Sequence, residues 1–170
     1  MPRKFLALLL LTTLVGACSR TPAHTDTPLG TLEGYVKDEV EYYLGVPYAQ
    51  APVGELRWRP PAPAQPWTGA REATENASVC TQFSPVGGSL TGSEDCLYLN
   101  VWTPANKPEK PMPVMVWIHG GGCTTGSGSQ PYYHGRLLAQ HGVEVRNLLG
   151  GIKTWEACRD AGTLTPLESA

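Results

Sequence analysis

Short apolar runs separated by turn-forming residues dominate the chain. Thr31-Leu32-Glu33-Gly34-Tyr35-Val36 and Val40-Glu41-Tyr42-Tyr43-Leu44 are β-branched and aromatic stretches around Lys37-Asp38-Glu39, a pattern that predicts a hairpin. Leu97 to Trp102 predicts a strand ended by Pro104, and the unbroken apolar run from Pro113 to Ile118 predicts a central strand buried on both faces. Between them, Val46 to Trp67 carries Pro47, Pro52, Pro60, Pro61, Pro63 and Pro66. Proline lacks the N–H and fixes φ, so this stretch is neither helix nor central strand. Tyr48, Leu56, Trp58 and Trp67 are interleaved with the prolines, which predicts an extended coil packed over a core with these side chains buried. Helical signals are few: one or two turns at Arg136 to His141, and a helix-like stretch from Ile152 to Asp160 after a strand-like Val143-Glu144-Val145.

The first residues have a different pattern. Arg3 and Lys4 precede Phe5 to Val15, which is apolar apart from Thr12 and Thr13. Such a run is too short for a hydrocarbon core that needs ~20 residues, and it reads as a signal peptide over residues 1–17. Val15-Gly16-Ala17-Cys18 resembles a bacterial lipobox, which makes Cys18 the expected lipidation site. The expected location is the bacterial cell envelope, lipid-anchored on the periplasmic face or the cell surface, with secretion as the alternative. Residues 18–29 are rich in Ser, Thr, Pro and Ala without apolar periodicity, and read as a flexible tether.

Composition narrows the function classes. The chain has 170 residues, 41% hydrophobic and 16% charged, with a formal charge of −2. Removing residues 1–17 leaves 11 basic against 15 acidic residues, a charge of −4. No basic surplus exists to neutralise phosphates, so nucleic acid is not an expected partner. The 19 glycines and 16 prolines argue for turns and irregular backbone over a helical bundle. Five scattered cysteines suit neither a disulfide mini-scaffold nor a zinc ribbon, and no metal is expected.

The candidate chemistry lies at His119-Gly120-Gly121-Gly122-Cys123, directly after the apolar run. Open α/β sheets bind ligands at the C-terminal ends of their strands. Amides without side chains can converge there on one negatively charged oxygen. A phosphate cradle is the weaker option, because neither phosphate-loop pattern follows and no lysine is near. Stabilisation of an oxyanion is the stronger.

Four motifs set this loop in context: Leu44-Gly45-Val46-Pro47-Tyr48-Ala49, Pro52 to Pro60, Glu94 to Trp102, and Val116 to Gly122. In order and spacing they resemble the type-B carboxylesterase family, which includes the cholinesterases and bacterial para-nitrobenzyl esterases. The resemblance covers roughly Gly30 to Val143. It implies an α/β-hydrolase fold, mixed and mostly β over this part and incomplete, with no cofactor and a small-molecule ester as substrate. Carried over residue by residue, Gly121 and Gly122 become oxyanion-hole donors, each such donor typically worth ~10²–10³ in rate. The resemblance gives His119 a structural place beside the glycines. It pairs Cys80 with Cys96 as a disulfide, and Arg57 with Glu94 as a structural ion pair. Cys123 stands where the family has a bulky aromatic, and is expected to be a small buried apolar residue.

The chain also departs from the family. Ester hydrolysis there uses a Gly-x-Ser-x-Gly elbow, with acid and histidine following in chain order. None of the eight serines has glycine at both minus two and plus two. After Val143, Glu144 to Trp155 with its Gly150-Gly151-Ile152 resembles the end of a rhodanese-like sulfurtransferase domain, without that family's cysteine loop before it. The expected organisation is therefore a partial carboxylesterase domain over 30–143 and a divergent, rhodanese-like or frameshifted tail over 144–170. An oxyanion hole without its triad predicts an inactive truncated or chimeric product. A non-catalytic cholinesterase-like binding lipoprotein is the alternative.

Overall fold

The computed structural model describes residues 20–84 and 87–148. Residues 1–17, the lipidation candidate Cys18, and the tail features from Gly150-Gly151-Ile152 to the expected helix at Ile152 to Asp160 lie outside the described residues.

Among the described residues nine strands and one short α-helix occur in chain order: β1 (Thr21–Thr27), β2 (Gly30–Lys37), β3 (Val40–Pro47), β4 (Ala70–Glu72), β5 (Gln82–Phe83), β6 (Leu90–Thr91), β7 (Tyr98–Pro104), β8 (Val114–Ile118), α1 (Arg136–Gln140) and β9 (Glu144–Leu148). The main sheet runs β1-β2-β3-β7-β9-β8, with β4 paired parallel to β2 at Thr31 to Glu33. A β5–β6 pair stands apart.

The expected hairpin is β2–β3, with Lys37 opposite Val40. Asp38 and Glu39 both take positive φ, 51° and 61°, the geometry of a two-residue turn whose twist matches the strands it joins. Outside interactions hold this costly backbone. Arg136 donates to Asp38 at 3.2 Å, and the Ala105 N–H donates to the Glu39 carbonyl at 2.9 Å.

Alternation along β3 separates the core into its two faces. Val40, Tyr42 and Leu44 pack with Tyr35, Trp102, Ala139 and Val145 on one side, while Tyr43 packs with Ala23, Leu32 and Ala73 on the other. On the first side Tyr35 and Tyr42 stack at 4.7 Å, and His134 lies 5.1 Å from the Trp102 ring. Burial first, then the Arg136 and Lys37 charges, lower the His134 pKa and favour the uncharged ring. A register shift between Tyr43 and Val46 marks a bulge at Gly45 (φ 70°). The Gly45 N–H finds its acceptor in fully buried Asn100, whose Oδ1 lies 2.9 Å away and whose Nδ2 donates to Asn76. A buried amide left unmatched there would cost roughly 1–3 kcal/mol.

Four expectations need correction. Residues 21–27 are not a tether: β1 pairs antiparallel with β2 along its whole length, from Thr21 opposite Val36 to Thr27 opposite Gly30, and Ala23 is buried. Backbone pairing needs no apolar periodicity, which is why the composition misled. The domain also does not stop at 143, because β9 lies between β7 and β8 with Val145 in the core. Trp58 is fully exposed, whereas Tyr48 is buried and Trp67 is half-buried with its indole N–H donating to the Thr31 carbonyl. A 3-10 turn at Gly54–Leu56 and a left-handed Trp58 (φ 60°) swing that ring outward. Finally, β8 is not central among the described residues. It pairs with β9 alone, and Val114 to Trp117 are 41–49% exposed. A continuous apolar run produces burial only where neighbours cover both faces.

Candidate functional site

The glycine loop leaves the C-terminal end of β8 and folds back on itself. Its form follows from where two carbonyls are held. The Gly121 carbonyl accepts from the Thr124 and Thr125 N–H groups, both at 3.1 Å, and from the two threonine hydroxyls. The Gly120 carbonyl lies 2.8 Å from His119 Nδ1. A carbonyl can only accept, so this contact is a hydrogen bond with the proton on Nδ1.

All peptide bonds described are trans, and across a trans peptide the C=O and the following N–H point in opposite directions. Fixing the Gly120 carbonyl therefore aims the Gly121 N–H away from His119. Fixing the Gly121 carbonyl aims the Gly122 N–H away from the threonines. Neither amide has an acceptor among the described residues. These are two backbone donors with preset directions and no acceptor among the described residues, one of the conditions for stabilising a developing negative charge without reorganisation.

Two positions of the loop, Gly121 and Gly126, have no room for a side chain. Gly121 has φ 133°, and a Cβ built there would lie 1.9 Å from the Thr125 carbonyl oxygen. Gly126 has φ 104°, and its Cβ would meet the Gly120 oxygen at 2.4 Å. Gly122 (φ 61°) meets only Thr124 Oγ1, at 4.0 Å, so it is limited by backbone conformation and not by space.

Beside the loop is an open cavity of about 340 Å³, lined by Gly120, Gly121, Gln82, Gln130, Tyr132 and Tyr133 among others, with no Asp, Glu, Lys, Arg or His in its wall. Gly121 reaches this wall and Gly122 does not. Ser127 also lines it, but its buried hydroxyl is 2.7 Å from Ser129 Oγ. No histidine or carboxylate partners Ser127 among the described residues, so nothing there would activate it. No cluster of metal-ligating side chains occurs among the described residues.

The remaining expected site residues lie elsewhere. Cys80 and Cys96 form a disulfide. Arg57 and Glu94 make a two-point ion pair at 2.7 and 2.5 Å on the surface. The hydrogen bonds from Arg57 hold the Glu94 carboxyl below its ordinary pKa, but exposure keeps such a pair a minor contributor to stability. Cys123 corrects the expectation of burial: it is exposed, in a left-handed conformation (φ 60°). The loop there faces outward, and no packing layer covers it among the described residues.

One contributor carried no sequence signal. Gln82 accepts the Gly126 N–H at 2.7 Å and donates to the Gly126 and Cys80 carbonyls, both at 3.0 Å. It lies 44 positions from Gly126 in a polar stretch, where a glutamine reads as surface.

Comparisons with known proteins agree on the relationship. A model of the carboxylesterase family matches residues 21–147. The chain is 48% identical over 122 residues to a fumonisin B1 esterase of Sphingopyxis macrogoltabida, covering 70% of this chain and 22% of that protein. It is 43% identical over 124 residues to the para-nitrobenzyl esterase of Bacillus subtilis, covering 70% and 25%. A crystal structure of a Geobacillus stearothermophilus carboxylesterase superposes with a TM-score of 0.66 at 43% identity, covering 74% of this chain and 26% of that one. A PNB esterase structure gives 0.68 at 38% identity, covering 78% and 28%. The chain thus spans about a quarter of the length of the relatives it matches.

Proposed function

Because the chain belongs to the carboxylesterase family, we propose that it supplies the oxyanion-binding portion of a carboxylic ester hydrolase acting on small-molecule esters. The described residues form part of the α/β-hydrolase fold of its structural relatives. The observation that carries the proposal is the pair of unengaged amides at Gly121 and Gly122, aimed by carbonyls that His119, Thr124 and Thr125 hold. When a serine attacks an ester carbonyl, that oxygen becomes an anion. The two N–H groups would donate to it more strongly than to the neutral carbonyl, and so lower the barrier. The uncharged wall of the cavity suits a neutral ester.

No serine of the 170 residues sits in a Gly-x-Ser-x-Gly elbow, so the nucleophile, acid and base would come from the portion of the relatives that this chain does not span. The 170-residue chain by itself should neither turn over p-nitrophenyl butyrate above buffer nor react with a fluorophosphonate probe. Residues 20–147 joined to the unmatched remainder of the B. subtilis para-nitrobenzyl esterase should do both. Stoichiometric probe labelling of a serine in the chain alone would overturn the division of roles, and a folded but inert chimera would overturn the oxyanion assignment.

Export with acylation at Cys18 is a further part of the proposal. The support is the Arg3-Lys4 start, the apolar run and Val15-Gly16-Ala17 before the cysteine. Radiolabelled palmitate should enter the wild-type protein and not Cys18→Ser. Equal labelling of the two would remove the anchor.

A further inference from the structure

We propose that Gln82 is a positioning residue for the oxyanion loop, carrying the rigidity of the disulfide-closed segment to the Gly121 and Gly122 amides. The inference rests on the oxyanion reading above and names a residue that acts on that site from outside it.

Gln82 engages Gly126 at two points, accepting its N–H and donating to its carbonyl, as a neighbouring strand would. Its second amide hydrogen goes to the Cys80 carbonyl, so both hydrogens of Nε2 are used. The Gln82 backbone is fixed in turn. It belongs to β5, which pairs with β6, and both strands lie inside the loop closed by Cys80–Cys96.

Gly126 is packed against the groups that aim the donors. A Cβ there would touch the Gly120 oxygen at 2.4 Å and His119 Nδ1 at 2.8 Å. The preceding Thr125 carbonyl closes on Gly121, and the Thr125 N–H holds the Gly121 oxygen. Movement of Gly126 therefore displaces both carbonyls whose directions set the two amides. Ile118 packs against the cluster that holds the disulfide at the foot of the loop, and the Gln82 amide adds two hydrogen bonds at its far side, on Gly126.

The test uses the isolated chain with methanesulfonate, a small oxyanion whose charge is constant over the working pH range. In the wild type, nuclear magnetic resonance should show saturable shifts of the Gly121 and Gly122 amides and slow exchange at the Gly126 amide. Gln82→Ala should weaken methanesulfonate about tenfold and speed Gly126 exchange about tenfold, the order expected for lost hydrogen bonds, with the disulfide intact. Gln82→Glu keeps the shape and an acceptor for the Gly126 N–H but sets a carboxylate against two carbonyls. It should behave like Gln82→Ala at about pH 8 and recover toward about pH 5 as the carboxyl takes up a proton. A merely structural glutamine would give no such pH-dependent rescue. Unchanged Gly126 exchange and unchanged anion affinity in Gln82→Ala would overturn the proposal. Absence of any wild-type shift with methanesulfonate would instead count against the oxyanion reading, and Gly126 exchange would still decide the clamp.

Discussion

Gly121→Ala should reduce turnover by the chimeric esterase at least about 10²-fold, the cost of one lost oxyanion donor. A Cβ at this position lies 1.9 Å from the Thr125 carbonyl oxygen, and φ 133° is closed to alanine. The peptide must therefore rotate, and the Gly121 and Gly122 N–H groups lose their direction. Gly122→Ala provides the control. It meets only a threonine hydroxyl at 4.0 Å with φ 61°, a conformation alanine can hold at roughly 1–2 kcal/mol. Its loss should be milder, within about tenfold by the same scale. The measurement is kcat and KM for p-nitrophenyl butyrate. A loss made only in the transition state lowers kcat and kcat/KM together and leaves KM nearly unchanged. Equal and small effects at both glycines would show that the loop does not hold the oxyanion.

Removing the Cys80–Cys96 bridge should have the largest effect on stability. Fifteen residues lie between the two cysteines, and closing a loop of that length removes about 3 kcal/mol of chain entropy from the unfolded state. For a domain of this size the melting temperature of Cys80→Ser should fall by about 10 °C. Reductant should lower the wild type equally and leave the variant unchanged. The bridge also holds the frame in which Gln82 meets Gly126, so Gly126 amide exchange should rise before global unfolding. A variant melting within about 2 °C of the wild type would mean that β5, β6 and their neighbours keep this segment closed without the covalent link.

The exposed strand β8 poses a problem for the chain when alone. Val114 to Trp117 expose apolar side chains on a strand paired at one edge. Open strand edges of this kind are templates for further pairing. In the chimera, the added segments would cover it.

The sequence by itself determined what depends on neighbours in the chain. Alternation and the turn at Asp38-Glu39 specified the β2–β3 hairpin, because strand period and turn conformation are local. The proline-rich coil and the strand at 98–104 were legible for the same reason. So were Cys80–Cys96 and Arg57–Glu94, both implied by the family resemblance and both present. Tertiary structure decided whatever depends on partners distant in sequence. The polar segment 21–27 became a strand because β2 offered its edge. The motifs legible in the sequence end at Val143, yet β9 still enters the sheet, because pairing with β7 and β8 is made through the backbone. The apolar run at 114–118 determined a strand but not its burial, which belongs to the layers around it. In the glycine loop the residue types were readable, but the direction of each amide was not. That direction comes from carbonyls held by His119, Thr124 and Thr125, and from a glutamine 44 residues away. The aim of a peptide dipole is a three-dimensional quantity with no local signature in the chain.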